Sequence, residues 1–229
     1  MEELGLAATL ARYWEAGGWP MYPIFLLGLL GLLASVGLPI AGFAMGKPRP
    51  AFLFAMMLLV LAVFTAGMGA LGQTLDMRTV DEAIVHVNPA DREIIRMAGS
   101  SESRTCLAFG LYAAILPLAA AGLLLSRALA RAKSALGALA GPALAIGLGA
   151  LCAGAALQQG ALVAAEDAAA HQGIGDKDLP AGAPRPVHAV DASEASARLR
   201  GGAVVGAPFV LAGIALLVVG AKKREDAQP

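Results

Sequence analysis

Three histidines, His86, His171 and His188, lie among many carboxylates in two stretches, 73–104 and 161–202. Histidine with carboxylate is a ligand set for zinc, but no pair here has the i, i+4 or tight-turn spacing that would hold one ion. No metal site is expected. Nucleophilic chemistry fares no better: Ser100, Ser101, Ser103, Ser193 and Ser196 lack a G-x-S-x-G elbow and an S-x-x-K pairing. There is no Walker loop, and no G-x-G-x-x-G follows a strand. Cys106 and Cys152 fall in or at apolar segments without disulfide or metal-ligand spacing, and read as small packing residues. The expectation is a chain that is not an enzyme, with no catalytic residue and no cofactor. Nucleic acid is not expected as a partner.

The remaining chemistry would be ion transfer, which is marked by ionisable residues inside apolar spans. Five runs, 22–45, 51–72, 106–125, 136–157 and 203–221, contain no Asp, Glu, Lys, Arg or His. The polar inventory in these runs or just beyond their ends is Ser35, Thr65, Gln73, Tyr112, Gln158 and Gln159. A proton relay contained in this chain alone is therefore not expected; a partner or further copies would have to supply the acid.

Those runs also define the elements. The chain is 58% hydrophobic and 15% charged, with mean hydropathy +0.68, against about 45–50% and 25% for soluble domains. About 20 residues at 1.5 Å rise cross a hydrocarbon core of roughly 30 Å. The predicted fold is all-α and polytopic, with five transmembrane helices in a lipid bilayer. The first run is read as a retained helix, because its leader is acidic (Glu2, Glu3, Glu15) and no small-residue cleavage site follows.

Charge distribution sets the expected orientation. Lys47 and Arg49, then Arg127, Arg131 and Lys133, then Lys222, Lys223 and Arg224 fall in three short segments that five crossings place on one side, with only Glu225 and Asp226 for company. Short basic loops stay cytoplasmic, so the N-terminus is expected outside and the C-terminus inside. The composition suggests a bacterial inner membrane.

The organisation expected from these signals starts with an interfacial N-terminal segment, 1–21, whose Trp14 and Trp19 cluster with Tyr22 at the start of the first run as headgroup anchors. A first hairpin, 22–72, leads to an outer loop, 73–104. In that loop "TVDE" (79–82) reads as a capping box and Asn88-Pro89 as an N-cap with proline at N1, predicting two short surface helices. Their apolar residues are Ile84, Val85, Val87, Ile94, Ile95 and Met97. A second hairpin, 105–160, precedes a Gly/Pro/Asp-rich outer loop, 161–202, expected to be extended or mobile apart from a short helix near 193–200. The fifth helix and a basic tail fill 203–229. The two hairpins resemble each other as a weak tandem repeat.

Gly137, Gly141, Ala145, Gly149 and Ala153 recur every four residues, a small-residue stripe that would let another helix approach closely. Ala62, Ala66 and Ala70 form a shorter one. Either the stripe packs within one bundle, or it is the interface for other membrane subunits or for self-association.

The segment "WEAGGWPMYPIFLLGLLGLLASVG" (14–37) resembles the start of the first membrane helix in the MotA/TolQ/ExbB proton-channel family, through Gly17, Gly18, Met21, Tyr22, Pro23, Ile24 and the leucines beyond. The family's first helix runs from outside to inside, as the basic segments require here. The resemblance implies a subunit of an ion-gradient-driven complex. Where the family has a large cytoplasmic domain this chain has "GKPRP", and the family's pore-lining Thr and Glu have no counterpart, so no functional residue is transferred. The expected function is a non-enzymatic inner-membrane subunit of such a complex; the alternative is a small transporter or channel with a pore between the two hairpins.

Overall fold

Glycine and proline set the limits of the first helix. In the computed structural model, which describes residues 18–89, 91–130, 135–175 and 193–225, Gly18 takes φ +56° and turns the chain into Pro20. Helix α1 (Met21–Ala44) follows. It stops at Gly46, whose φ of +66° only glycine adopts freely. Lys47 is then extended (φ −99°, ψ 146°), as a residue before proline should be, and Pro48 opens α2 (Pro48–Ile84). The remaining helices are α3 (Arg92–Ala130), α4 (Ala135–Gly175) and α5 (Ser193–Glu225). All five are long and apolar enough to cross a membrane.

Two expectations for 73–104 change. The "TVDE" segment caps nothing: α2 runs through it unbroken, and the Thr79 hydroxyl donates to the Leu75 carbonyl, 3.2 Å away, inside the helix. Regular helix in α3 begins at Arg92 rather than after Asn88, whose carbonyl accepts from the Asp91 N–H in a turn (2.9 Å). The Arg92 guanidinium donates to the carbonyls of Val87 (3.1 Å) and Val85 (3.3 Å), satisfying groups that the end of α2 leaves open. The two short surface helices are therefore the ends of α2 and α3, held side by side where Val80 covers Gly99. Ile94 is buried there, whereas Val85 is exposed. Likewise α4 continues to Gly175 through the start of the expected flexible loop, and the short helix near 193–200 is the first part of α5. The interfacial segment before Gly18, and the stretch 176–192, lie outside the described residues.

Packing follows a spacing of alternate fours and threes. The buried residues of α2 are Ala51, Ala55, Leu58, Ala62, Thr65, Gly69 and Gly72, and those of α1 are Met21, Ile24, Gly31, Ser35 and Gly42. That average of 3.5 gives a seam that winds slowly left-handed along the helix, the pattern of two helices coiling gently around each other. Helix α3 is central, packing extensively on α2 and α4, while α1 lies over the α2–α3 pair and α5 packs on α4. Half of the most apolar stretch of α3 is buried but only 11% of that of α5. The two hairpins are thus not packed alike: α2 leans more on α3 than on α1.

Large side chains point outward and small ones inward. Leu33, Ile40, Val60, Val63, Phe64, Val204 and Leu211 are among the exposed apolar residues, and the main core cluster is alanine-rich: Ala51, Ala55, Ala120, Ala121 and Ala128 around Leu58 and Leu124. Small residues inside and large apolar ones outside is the pattern of helices held by close van der Waals approach, as required wherever lipid removes the hydrophobic gain from pairing.

Candidate functional site

The seam between α2 and α3 brings backbones together. A Cβ built on Gly69 would stand 2.8 Å from the Cys106 carbonyl oxygen and 3.1 Å from the Gly110 Cα. One turn along, Gly72 abuts Cys106 and Pro20, and Met21, Ile24 and Cys106 form a buried cluster. This is the place of the family-like motif. Gly18 makes the turn, Met21 and Ile24 fill the seam, and Tyr22 is exposed; Pro23 sits in the first turn, and Gly17 lies outside the described residues.

The same α2 face continues to Asp76, whose Oδ2 accepts from the Cys106 thiol (3.4 Å). On the other side of α3, Arg104 Nε donates to both oxygens of Glu166 at 3.1 Å, and Nη1 donates to Gln159 Oε1 at 3.2 Å. The two side chains are only 26% and 12% exposed. An ion pair so shielded, with one Nε–H shared between both carboxylate oxygens and Nη1 held by Gln159, fixes the register of α3 against α4 at this acidic end of the molecule.

The hydroxyls nearby are spent locally. Ser101, Ser103 and Thr105 are buried and donate to the carbonyls of Ala98, Ser100 and Ser101. Deeper in, Ser35 donates to the Gly31 carbonyl at 2.6 Å and Thr65 to the Leu61 carbonyl at 2.8 Å. Among the described residues no group of three or more His, Cys, Asp or Glu could hold a metal ion. His86 is exposed at the α2–α3 turn, His171 lies in the last part of α4, and His188 is outside the described residues.

At the opposite, basic end, Arg127 Nη2 donates to the Phe43 carbonyl (2.8 Å), and the guanidinium lies 4.3 Å from the centroid of the Phe43 ring. Between the two ends an apolar groove of about 320 Å³ runs along the α1–α3 junction, with Phe25, Leu29 and Leu32 facing Phe109, Tyr112 and Leu116.

The expected stripe on α4 divides. Gly141 meets the Gly122 carbonyl and Ser126, and Ala145 covers Gly122, so both pack on α3. A Cβ on Gly149 would meet nothing within 4 Å, and Ala153 is half-buried; Gly137 lies in the helix with its surroundings undescribed. A four-residue step advances 400° and so drifts about 40° per step around a helix of 3.6 residues per turn. The contacts that last are others. Leu148 and Cys152 continue the α3 side, and Gly147 and Gly154 receive Gly206 and Gly202 of α5. Glycines seven apart were the signal for that second seam.

No family model, curated protein or solved structure matches the chain. The likeness of residues 14–37 to a proton-channel first helix rests on those residues alone.

Proposed function

We propose that this chain is a non-enzymatic, multi-pass subunit of a bacterial inner membrane, N-terminus outside and C-terminus inside. It assembles with other membrane subunits or further copies, in an ion-gradient-driven complex of the kind its first helix resembles. The observation that carries this reading is the distribution of polarity. The interior between the two ends is closed by alanine and glycine seams, with the buried hydroxyls of Ser35 and Thr65 bonded to their own helices. The large apolar side chains face out.

A pore between the hairpins is disfavoured by the same geometry, because the α2–α3 interface is where Gly69 and Gly110 leave no room even for a methyl group. In this reading an ion-carrying acid belongs to a partner.

Native mass spectrometry of the chain, gently extracted from its own membranes, tests the proposal. A ring of several copies, or a complex with a further membrane chain, is the expected result. A lone monomer with no partner would overturn it.

A further inference from the structure

We propose that the basic end of the molecule holds the phosphate of an anionic phospholipid, gripped by Arg127 with Lys47 and Arg49. The inference rests on the membrane reading above.

Arg127 is not a free surface base. Its guanidinium is fixed by the Phe43 carbonyl at 2.8 Å and by the Phe43 ring at 4.3 Å. That carbonyl belongs to the last turn of α1, where carbonyls lack helical partners and carry partial negative charge. A guanidinium offers five N–H donors, and among the described residues only this one bond uses them; Nε is enclosed without a partner. Lys47 and Arg49 stand exposed just beyond the end of α1, four and six residues past Phe43. Helix α2 starts between them with no side-chain cap, so its dipole adds to the attraction for an anion.

Nothing in α1–α4 neutralises this charge. The sequence holds no Asp or Glu from 16 to 75, and none from 103 to 165. The α1–α2 turn and the end of α3 therefore bring only bases to this end, with Arg131 and Lys133 following directly in the chain. The acids on this side are Glu225 and Asp226 at the end of the sequence, beside Lys222, Lys223 and Arg224. Counter-charge has to come from outside these helices. The exposed Phe43 and Met45 beside the cluster are apolar, which suits acyl chains below a headgroup better than a soluble ion.

The test uses the full chain in mild detergent, with lipid retention read by native mass spectrometry after titration with phosphatidylglycerol or phosphatidylcholine. Wild type should retain phosphatidylglycerol in preference. Lys47→Gln/Arg49→Gln, which leaves the helix seams untouched, should weaken retention about fivefold for each base removed, the size of one base at an anionic surface. Arg127→Gln should act in the same direction, while Arg78→Gln/Arg200→Gln, the same charge loss at the other end, should change nothing. Equal retention of both lipids, or equal loss in the control, would overturn the proposal. Displacement of the lipid by millimolar inorganic phosphate would also overturn it, assigning the site to a soluble anion. Release of the chain from vesicles by alkaline carbonate would instead end the membrane reading itself.

Discussion

At Gly69 and Gly110 the missing side chains matter most. Each would push a Cβ to within 3 Å of the other helix's backbone, which cannot yield as a flexible side chain can. Gly69→Val is therefore expected to lower the thermal midpoint in detergent by many degrees, through overpacking of about 1–3 kcal/mol or more. Gly67→Ala, where nothing lies within 4 Å, should be neutral or gain up to about 1 kcal/mol in helix propensity. Differential scanning fluorimetry of the two variants checks both. The Arg104–Glu166 pair makes a different prediction. Arg104→Ala strands a shielded carboxylate, at a cost of about 3–5 kcal/mol when burial is complete, and less here because Arg104 keeps a quarter of its exposure. The apolar double variant Arg104→Met/Glu166→Met should recover most of the loss, measured in the same assay. Neither feature was legible in the sequence. Gly69 and Gly110 are two glycines among 28, and the charges of Arg104 and Glu166 argued for loops instead of a helix interface.

The helices themselves were legible wherever apolar runs fixed them, and the five runs reappear inside α1 to α5. What the runs could not mark was where helix continues past them. At 73–84 the residues turn polar, yet Asp76 and Val80 keep the packed α2 face, and Thr79 in a helix interior looks the same on paper as Thr79 at a cap. The four-residue stripe misled for a geometric reason: Ala62, Ala66 and Ala70 pass from buried to half-buried to exposed in three steps. Steps of four and three would have found the seams. Helix α5 carries the element-scale prediction. It depends on α4 through Gly147, Gly154, Gly202 and Gly206, and Gly154→Leu should drive it away. Hydrogen exchange in 195–219 should then rise at least about tenfold, the signature of local opening, while the central α3 keeps its protection. Equal loosening of α3 would mean that α5 is not a separable unit.

For the whole molecule, the proposed orientation makes the α2–α3 turn external and the α1–α2 turn internal. In a background of Cys106→Ala/Cys152→Ala, an impermeant thiol reagent applied to intact cells should label Val87→Cys and leave Lys47→Cys unlabelled until the membrane is opened. The reverse pattern would invert the topology. The central place of α3 also has a consequence in time. Helix α1 lays Gly28 on Ala113, Gly31 on Pro117 and Gly42 on Leu124, so in the proposed membrane reading the α3 share of its docking surface does not yet exist when it enters the bilayer. About eighty residues separate the end of α1 from Leu124, and at roughly 5–20 residues per second the wait lasts on the order of 4–16 s. On that reading, α1 waits through the interval with only α2 against its small-residue face, and the part that α3 will cover stays open to any insertase or neighbouring chain that reaches it first.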